Sequence, residues 1–268
     1  MRNQEYDDLS TKKEVKIIKI KDKNTSEEND FVAVEKPFTI FVNDAEIATL
    51  MISPDSFYEL TIGFLISEGI IDAIEEIKDI KIYETTLEAR VITFEENSLK
   101  QSLLNKRLIS SGCGNAPIFY NVIDSIKSKK ITNDFSIKAA DLFLLMEKFN
   151  KSSKLFIETG GVHSAGLANV KEILYFYEDI GRHNAIDKVL GKADIKKVSY
   201  SDKILLTSGR ISHELISKIS KRAIPIVASH SAPTSYSIEL AKALNITLVG
   251  FVRGKRLNIY TNFDNIIY

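Results

Sequence analysis

Cys113 is the only cysteine in the chain. It stands between Gly112 and Gly114, with Ser110 and Ser111 before it and Asn115, Ala116 and Pro117 after it. Such a sequence packs poorly as strand or helix, and the glycines strip cover from the thiol and let another backbone approach. An exposed thiol can attack an electrophile or carry a sulfur atom as a persulfide. The competing reading is an inert buried cysteine, the common state of a lone free thiol. One cysteine excludes an internal disulfide, a C-x-x-C redox pair and a thiolate metal cluster.

Glycine marks the other candidate segments as well. Seven of the twelve glycines fall in the five segments 110–115, 159–164, 178–184, 207–210 and 251–256. In Gly181-Arg182-His183-Asn184, Arg182 can clamp a phosphate while His183 hydrogen-bonds it, and Gly209-Arg210 repeats the arrangement further on. The plainer account makes both glycines strand-to-helix turns and both arginines members of surface ion pairs. In Phe251-Val252-Arg253-Gly254-Lys255-Arg256 the three cations suit phosphates and Phe251 can stack on a purine. The same segment also reads as a solvated hairpin tip. His163, His183, His213 and His230 lack metal-ligand spacing and read as hydrogen-bonding groups, His213 on a helix surface. A hydrolase built on Ser111 or Ser208 lacks the G-x-S-x-G elbow.

These loops need a scaffold. Half of the first thirty residues are charged, which reads as a solvated tail or, where Ile18 and Ile20 alternate with lysines, an edge strand. Runs 37–42 and 47–51 flank the turn signal Asn43-Asp44 as a hairpin. Ser53 reads as an N-cap with Pro54 at the first helical position, and Gly69 as the helix stop. Further strands are expected over 80–83 and 89–94, and a helix over 136–150 with Leu142, Leu145, Met146 and Phe149 on one face. Beyond it, strands 173–176, 204–206, 224–228 and 246–252 alternate with helices 184–190, 211–221 and 235–243; Thr234 or Ser235 is the expected cap of the last. The alternation predicts a three-layer α/β unit with a largely parallel sheet. A final strand is expected over 257–260. The organisation is a charged tail or edge strand over 1–30, a β-rich α+β part over 31–110, and an α/β cofactor-binding domain over 111–268 that includes the Cys113 loop. Three candidate segments follow strand ends and two lead into helices, so the expected site is an anion-binding, nucleotide-binding crevice at the carboxyl edge of the sheet.

The 268 residues suit one large domain or two small ones, and 44% hydrophobic with 27% charged residues is ordinary for a globular chain. Thirty-six Lys plus Arg balance thirty-six Asp plus Glu, so no overall positive field exists to hold nucleic acid or an anionic membrane. The longest apolar run, 142–146, is far short of the ~20 residues of a bilayer span, and the polar N-terminus lacks the apolar segment of a secretory signal. The expected location is cytoplasmic.

Taken in order, Glu35-Lys36-Pro37, Ser53-Pro54, Gly63-Phe64-Leu65, Glu68-Gly69, Ser111-Gly112-Cys113-Gly114, Thr159-Gly160-Gly161-Val162-His163, Asp179-Ile180-Gly181-Arg182-His183-Asn184-Ala185 with Asp187-Lys188, Ser208-Gly209-Arg210, Ser231-Ala232-Pro233-Thr234 and Gly250-Phe251-Val252-Arg253-Gly254 make the chain resemble the FdhD family over about residues 31–261. That family comprises the sulfurtransferase accessory proteins of formate dehydrogenase. The resemblance implies a cytidine-deaminase-like fold in the C-terminal part and transient binding of molybdenum bis(molybdopterin guanine dinucleotide), with no metal ligated by the protein. It further implies uptake of persulfide sulfur from a cysteine desulfurase and transfer to that cofactor before it enters formate dehydrogenase. By position Cys113 resembles the persulfide-forming cysteine and residues 251–256 the cofactor-binding segment, with Arg182, His183, Gly209 and Arg210 completing the crevice. A homodimer is compatible with it. Two departures stand out. The family's C-x-x-C loop has Ala116 at its second cysteine here, so no thiol relay exists within the loop. The deaminase zinc signatures are absent too, His163 being followed by Ser164 and Ala165. Loss of the second cysteine leaves a non-catalytic cofactor chaperone as the alternative.

Overall fold

The computed structural model describes residues 9–94, 130–132 and 135–268. The Cys113 loop lies outside them. The expected hairpin is present as β3 (Lys36–Val42) and β4 (Ala45–Ile52). Asn43 and Asp44 both take left-handed backbone angles, φ 47° and 64°, as a tight strand-to-strand turn requires. Phe38, Ile40 and Val42 alternate inward along β3. With β5 (Ile77–Tyr83) and β6 (Glu88–Thr93) these strands form a four-stranded sheet in the order β4-β3-β6-β5.

Helix α1 (Phe57–Glu68) covers that sheet and ends, as expected, at Gly69 with φ 71°. Its start differs from the expected one. Ser56, not Ser53, precedes the first turn, in a left-handed conformation. Ser53 is buried, and its Oγ accepts a bond from Ile180 N at 3.2 Å instead of capping a helix.

The charged N-terminal stretch is a paired ribbon, β1 (Lys12–Lys21) and β2 (Asn24–Ala33), turning at Asp22. Local alternation marked β1. The exposed polar residues of β2 hid its partner.

The larger sheet has six strands: β8 (His163–Ala168), β9 (Ile173–Asp179), β10 (Ile204–Thr207), β11 (Ile226–Ser229), β12 (Thr247–Arg253) and β13 (Arg256–Ile259), in the order β13-β12-β11-β10-β8-β9. It is mixed, and this corrects the expectation of a largely parallel sheet. Only β10–β11 and β11–β12 pair parallel, while β8 pairs antiparallel with both β9 and β10, and β13 with β12. The connections explain this. Asn169 Oδ1 accepts from Lys171 N and Glu172 N to close a turn between β8 and β9 far too short for a crossover. β8 is an additional strand: its start, His163-Ser164, closes a glycine-bearing segment with the composition of a loop but pairs along its length with β9.

Helices cover both faces of this sheet. Leu167, Leu205, Val227 and Leu248 face α4 (Arg182–Ile195), α5 (His213–Ser220) and α6 (Ser235–Leu244). The alternate residues Ile204, Leu206, Ile226, Ala228 and Val249 face α2 (Ala139–Ser152), through Leu142, Leu145, Met146 and Phe149. Two short strands, β7 (Ile137–Lys138) and β14 (Ile266–Ile267), pair beside α2. Thr234 caps α6, its Oγ1 accepting from Ser237 N. A short helix, α3 (Lys154–Thr159), starts where Glu178 of β9 accepts the N–H groups of Leu155 and Phe156, both at 2.9 Å.

The two sheets meet through α1 and α4. A Cβ on Gly63 would stand 1.9 Å from the Asp187 carbonyl oxygen, and one on Gly191 1.9 Å from that of Glu59. Any larger residue would drive the helices apart.

Candidate functional site

The strand registers place His163 opposite Asp179, Ala165 opposite Thr207, and Thr207 opposite Ser229. The start of β8 and the ends of β9, β10 and β11 therefore share one edge, which the end of β12 continues. Four of the five glycine-bearing segments meet there. Serines stitch them together. Ser208 N donates to Ser164 O at 3.0 Å; Ser208 Oγ accepts from Ser164 N at 2.9 Å and lies 3.3 Å from His163 Nδ1. Ser229 Oγ donates to Gly209 O at 2.6 Å and accepts from Ser231 N at 2.9 Å. Phe251 N reaches Ser231 O at 3.2 Å, and Arg253 Nε reaches His230 O at 3.2 Å.

Arg182 and His183 open α4, two residues earlier than the expected helix start at 184. Arg182 leans across Gly209, where an added Cβ would meet its Cβ and Cδ at 3.2 Å, so the glycine leaves room for the arginine. Arg210 is exposed beside it. Phe251 to Arg256 span the β12–β13 turn. Gly254 has φ 58°, and Phe251 a left-handed φ of 53° within a bulge that breaks the register between Gly250 and Arg253. Bulges of this kind re-aim side chains at functional edges. Arg253, Lys255 and Arg256 project to solvent while Val252 is buried. Arg253 stands two strands from Gly209, about 10 Å by strand spacing.

Several polar atoms on this edge lack partners. Arg182 Nε, His183 Nε2, Ser212 Oγ and His230 Nε2 are buried from solvent and make no hydrogen bond among the described residues. His183 Nε2 lies 3.2 Å from Glu214 Oε2, close enough for charge attraction but without the alignment of a hydrogen bond. Burial, helped by Lys218 and Arg182 against the pull of Glu214, lowers the His183 pKa to about 4. Burial and then Arg182 lower that of His163; burial and then Arg253 lower that of His230. All three rings are thus biased to the neutral form, each with one donor and one acceptor nitrogen. Unpaired donors beside exposed arginines suit an anion that also carries hydrogen-bonding edges. Among the described residues no cluster of three His, Cys, Asp or Glu side chains could hold a metal ion.

A second charged region, missed from sequence, lies behind this edge. Lys188 is fully buried and pairs with Asp179 at 2.8 Å and Asp55 at 2.6 Å. Lys218 pairs with Asp187 at 2.7 Å and Glu68 at 3.1 Å, and Ser67 Oγ donates to Asp187 at 2.7 Å. Arg222 grips Asp194 at 2.7 Å and touches Ser67 Oγ at 3.2 Å. Burial opposes the charges of Lys218 and Arg222, yet their carboxylates outweigh it and hold both pKa values above normal. For Asp179, burial pushes the pKa up, and Lys188 with its hydrogen-bond donors pulls it back without cancelling the rise. The Lys218 and Arg222 contacts bolt α1 to α4 and to the end of α5, and Lys188 ties α4 to β9 and to the segment before α1. Most of these pairs join residues about thirty or more positions apart, beyond the reach of local patterning; Asp179–Lys188 spans nine residues but joins a strand to a helix.

Fold and edge together define an α/β protein that presents a cationic, histidine-bearing edge at the carboxyl ends of its parallel strands. Residues 33–267 match the family model of the FdhD/NarQ family, and the chain belongs to that family. It is 43% identical over 237 residues to a protein of Listeria monocytogenes named sulfur carrier protein FdhD, covering 88% of this chain and 91% of that one. A Saccharolobus solfataricus protein of the same name is 38% identical over 256 residues, covering 93% and 96%. The crystal structure of a chain described as a formate dehydrogenase accessory protein from Desulfotalea psychrophila superposes with a TM-score of 0.79 at 27% identity, covering 96% of this chain and all of that one. Among the described residues no helix is long and apolar enough to cross a membrane.

Proposed function

We propose that the chain is a sulfur carrier serving formate dehydrogenase, taking persulfide sulfur from a cysteine desulfurase onto Cys113 and passing it to molybdenum bis(molybdopterin guanine dinucleotide) held at the sheet edge. The relatives' names support sulfur carriage. The observation that carries the ligand assignment is the set of unpaired buried atoms on Arg182, His183, Ser212 and His230 beside exposed Arg210, Arg253, Lys255 and Arg256. Phosphates fit the arginines, a guanine edge offers partners to neutral histidines, and the Phe251 ring can stack on the base.

In the loading step the Cys113 thiolate attacks the outer sulfur of the donor's persulfide. A new S–S bond forms on Cys113, the old one breaks, and the donor's cysteine leaves as thiolate. Handing that sulfur on as sulfide needs two electrons, from a thiol reductant or from the reduced metal of the cargo, and restores the Cys113 thiolate.

Mass spectrometry after incubation with a cysteine desulfurase and cysteine tests the first step. The protein should gain one sulfur atom, and Cys113→Ala none. No gain would favour the cofactor chaperone that Ala116 suggests. Titration with GDP, a probe carrying the guanine and two phosphates, tests the second. Absence of binding would overturn the ligand assignment.

A further inference from the structure

Arg182 and His183 sit in a turn that is held from behind. Asp179, fully buried at the end of β9, accepts through Oδ1 from Gly181 N at 2.8 Å and Asn184 Nδ2 at 2.9 Å. Its Oδ2 accepts from Ser53 N at 3.1 Å and lies 2.8 Å from Lys188 Nζ. Ser53 Oγ accepts from Ile180 N at 3.2 Å, its carbonyl accepts from Lys188 Nζ at 3.2 Å, and Asn184 Nδ2 also donates to Met51 O at 2.8 Å. Residues 179–184 are therefore fastened to 51–55, the segment that joins the four-stranded sheet to α1. The front of the turn is different. Arg182 rests on Gly209 by packing, and its Nε has no partner among the described residues.

We infer that Asp179 is the positioning residue of the ligand surface: with Ser53 and Asn184 it sets where Arg182 and His183 stand, and so makes the N-terminal sheet part of the binding apparatus. Asp179 touches no ligand on this account. It acts by closing the turn and anchoring it to a second sheet, so that cations and ring nitrogens are preorganised before an anion arrives. A carboxylate suits the task, because its two oxygens accept from four donors, three in the turn and first helical turns after β9 and one, Ser53 N, just past the end of β4.

The inference rests on the reading of the edge as a guanine-nucleotide surface, and the test separates the two. GDP titration and amide hydrogen exchange are measured on the full chain, on Asp179→Asn, on Asn184→Ala and on Asp187→Asn. The last disturbs an equally buried ion pair, with Lys218, that lies outside the turn. Asp179→Asn and Asn184→Ala should each weaken GDP binding about tenfold, the scale of one lost charge-assisted contact, and speed exchange at residues 181–184. Asp187→Asn should lower stability and leave GDP affinity unchanged. GDP affinity unchanged from that of the unaltered protein in both turn variants, or a roughly tenfold loss in Asp187→Asn as well, overturns the inference. If Asp179→Asn does not fold, Asn184→Ala decides, since it leaves the Asp179–Lys188 pair intact. If the unaltered protein binds no GDP, the nucleotide reading falls, and exchange at residues 181–184 alone decides whether the clamp exists.

Discussion

Lys188, Lys218 and Arg222 are buried and paired: Lys188 closes on Asp55, Asp179 and Ser53 O beside the start of α1, and Lys218 and Arg222 close on carboxylates of α1 and α4, Arg222 also on Ser67 Oγ. Some residues away on the same helices, Arg182 and His183 keep buried nitrogens unpaired, and Arg210, Arg253, Lys255 and Arg256 stand in solvent with no carboxylate partner among the described residues. Both regions are rich in charge. They differ in whether the protein itself completes the hydrogen bonding. A completed network costs desolvation yet fixes one geometry, so it serves to lock two sheets together. An incomplete one is costly to hold in the fold unless water, an ion or a ligand completes it. The completeness of hydrogen bonding, rather than the density of charge, therefore separates the two regions.

Removing a partner from the closed region should have the largest effect. Asp187→Ala leaves Lys218 and Ser67 short of an acceptor and should cost about 3–5 kcal/mol in urea unfolding. A loss below about 1 kcal/mol would mean the network is not closed in solution, and the contrast would collapse. Removing a cation from the open region should act on binding instead. Arg253→Ala or Arg256→Ala should leave stability within about 0.5 kcal/mol and weaken GDP roughly tenfold in titration. Loss of stability with unchanged affinity in these variants would invert the comparison.

The effect that is smallest at neutral pH, and grows only on acidification, is that of His183. With its folded pKa near 4 against 6.5 for the free ring, His183 resists a proton that the unfolded chain accepts. Stability from this group should therefore fall as pH drops from 6.5 through about 4, and His183→Gln should flatten that part of the curve. A bound anion favours the protonated ring, so GDP should flatten it too. Identical curves with and without GDP would show that His183 lies outside the ligand's field.

What could be read directly was local. The Asn43-Asp44 turn, the stop at Gly69, the Thr234 cap and the buried face Leu142, Leu145, Met146 and Phe149 all follow from interactions within a few residues. Glycine placement likewise marked the segments of the candidate edge. Ser53 shows where this reasoning fails. Beside Pro54 it has every local mark of an N-cap, yet its partners Asp179 and Ile180 lie more than a hundred residues away. The mixed sheet, the strand β8 and the ion pairs of Lys188 and Lys218 escaped in the same way.

From residue types and spacing alone came the α/β class, the solitary thiol at Cys113 and the loops with anion-binding chemistry, because turn and helix preferences act over one or two turns of chain. Tertiary structure decided which polar groups are satisfied and which await a partner. Burial and long-range hydrogen bonding belong to segments brought together from distant parts of the chain, and no periodicity within either segment records the meeting.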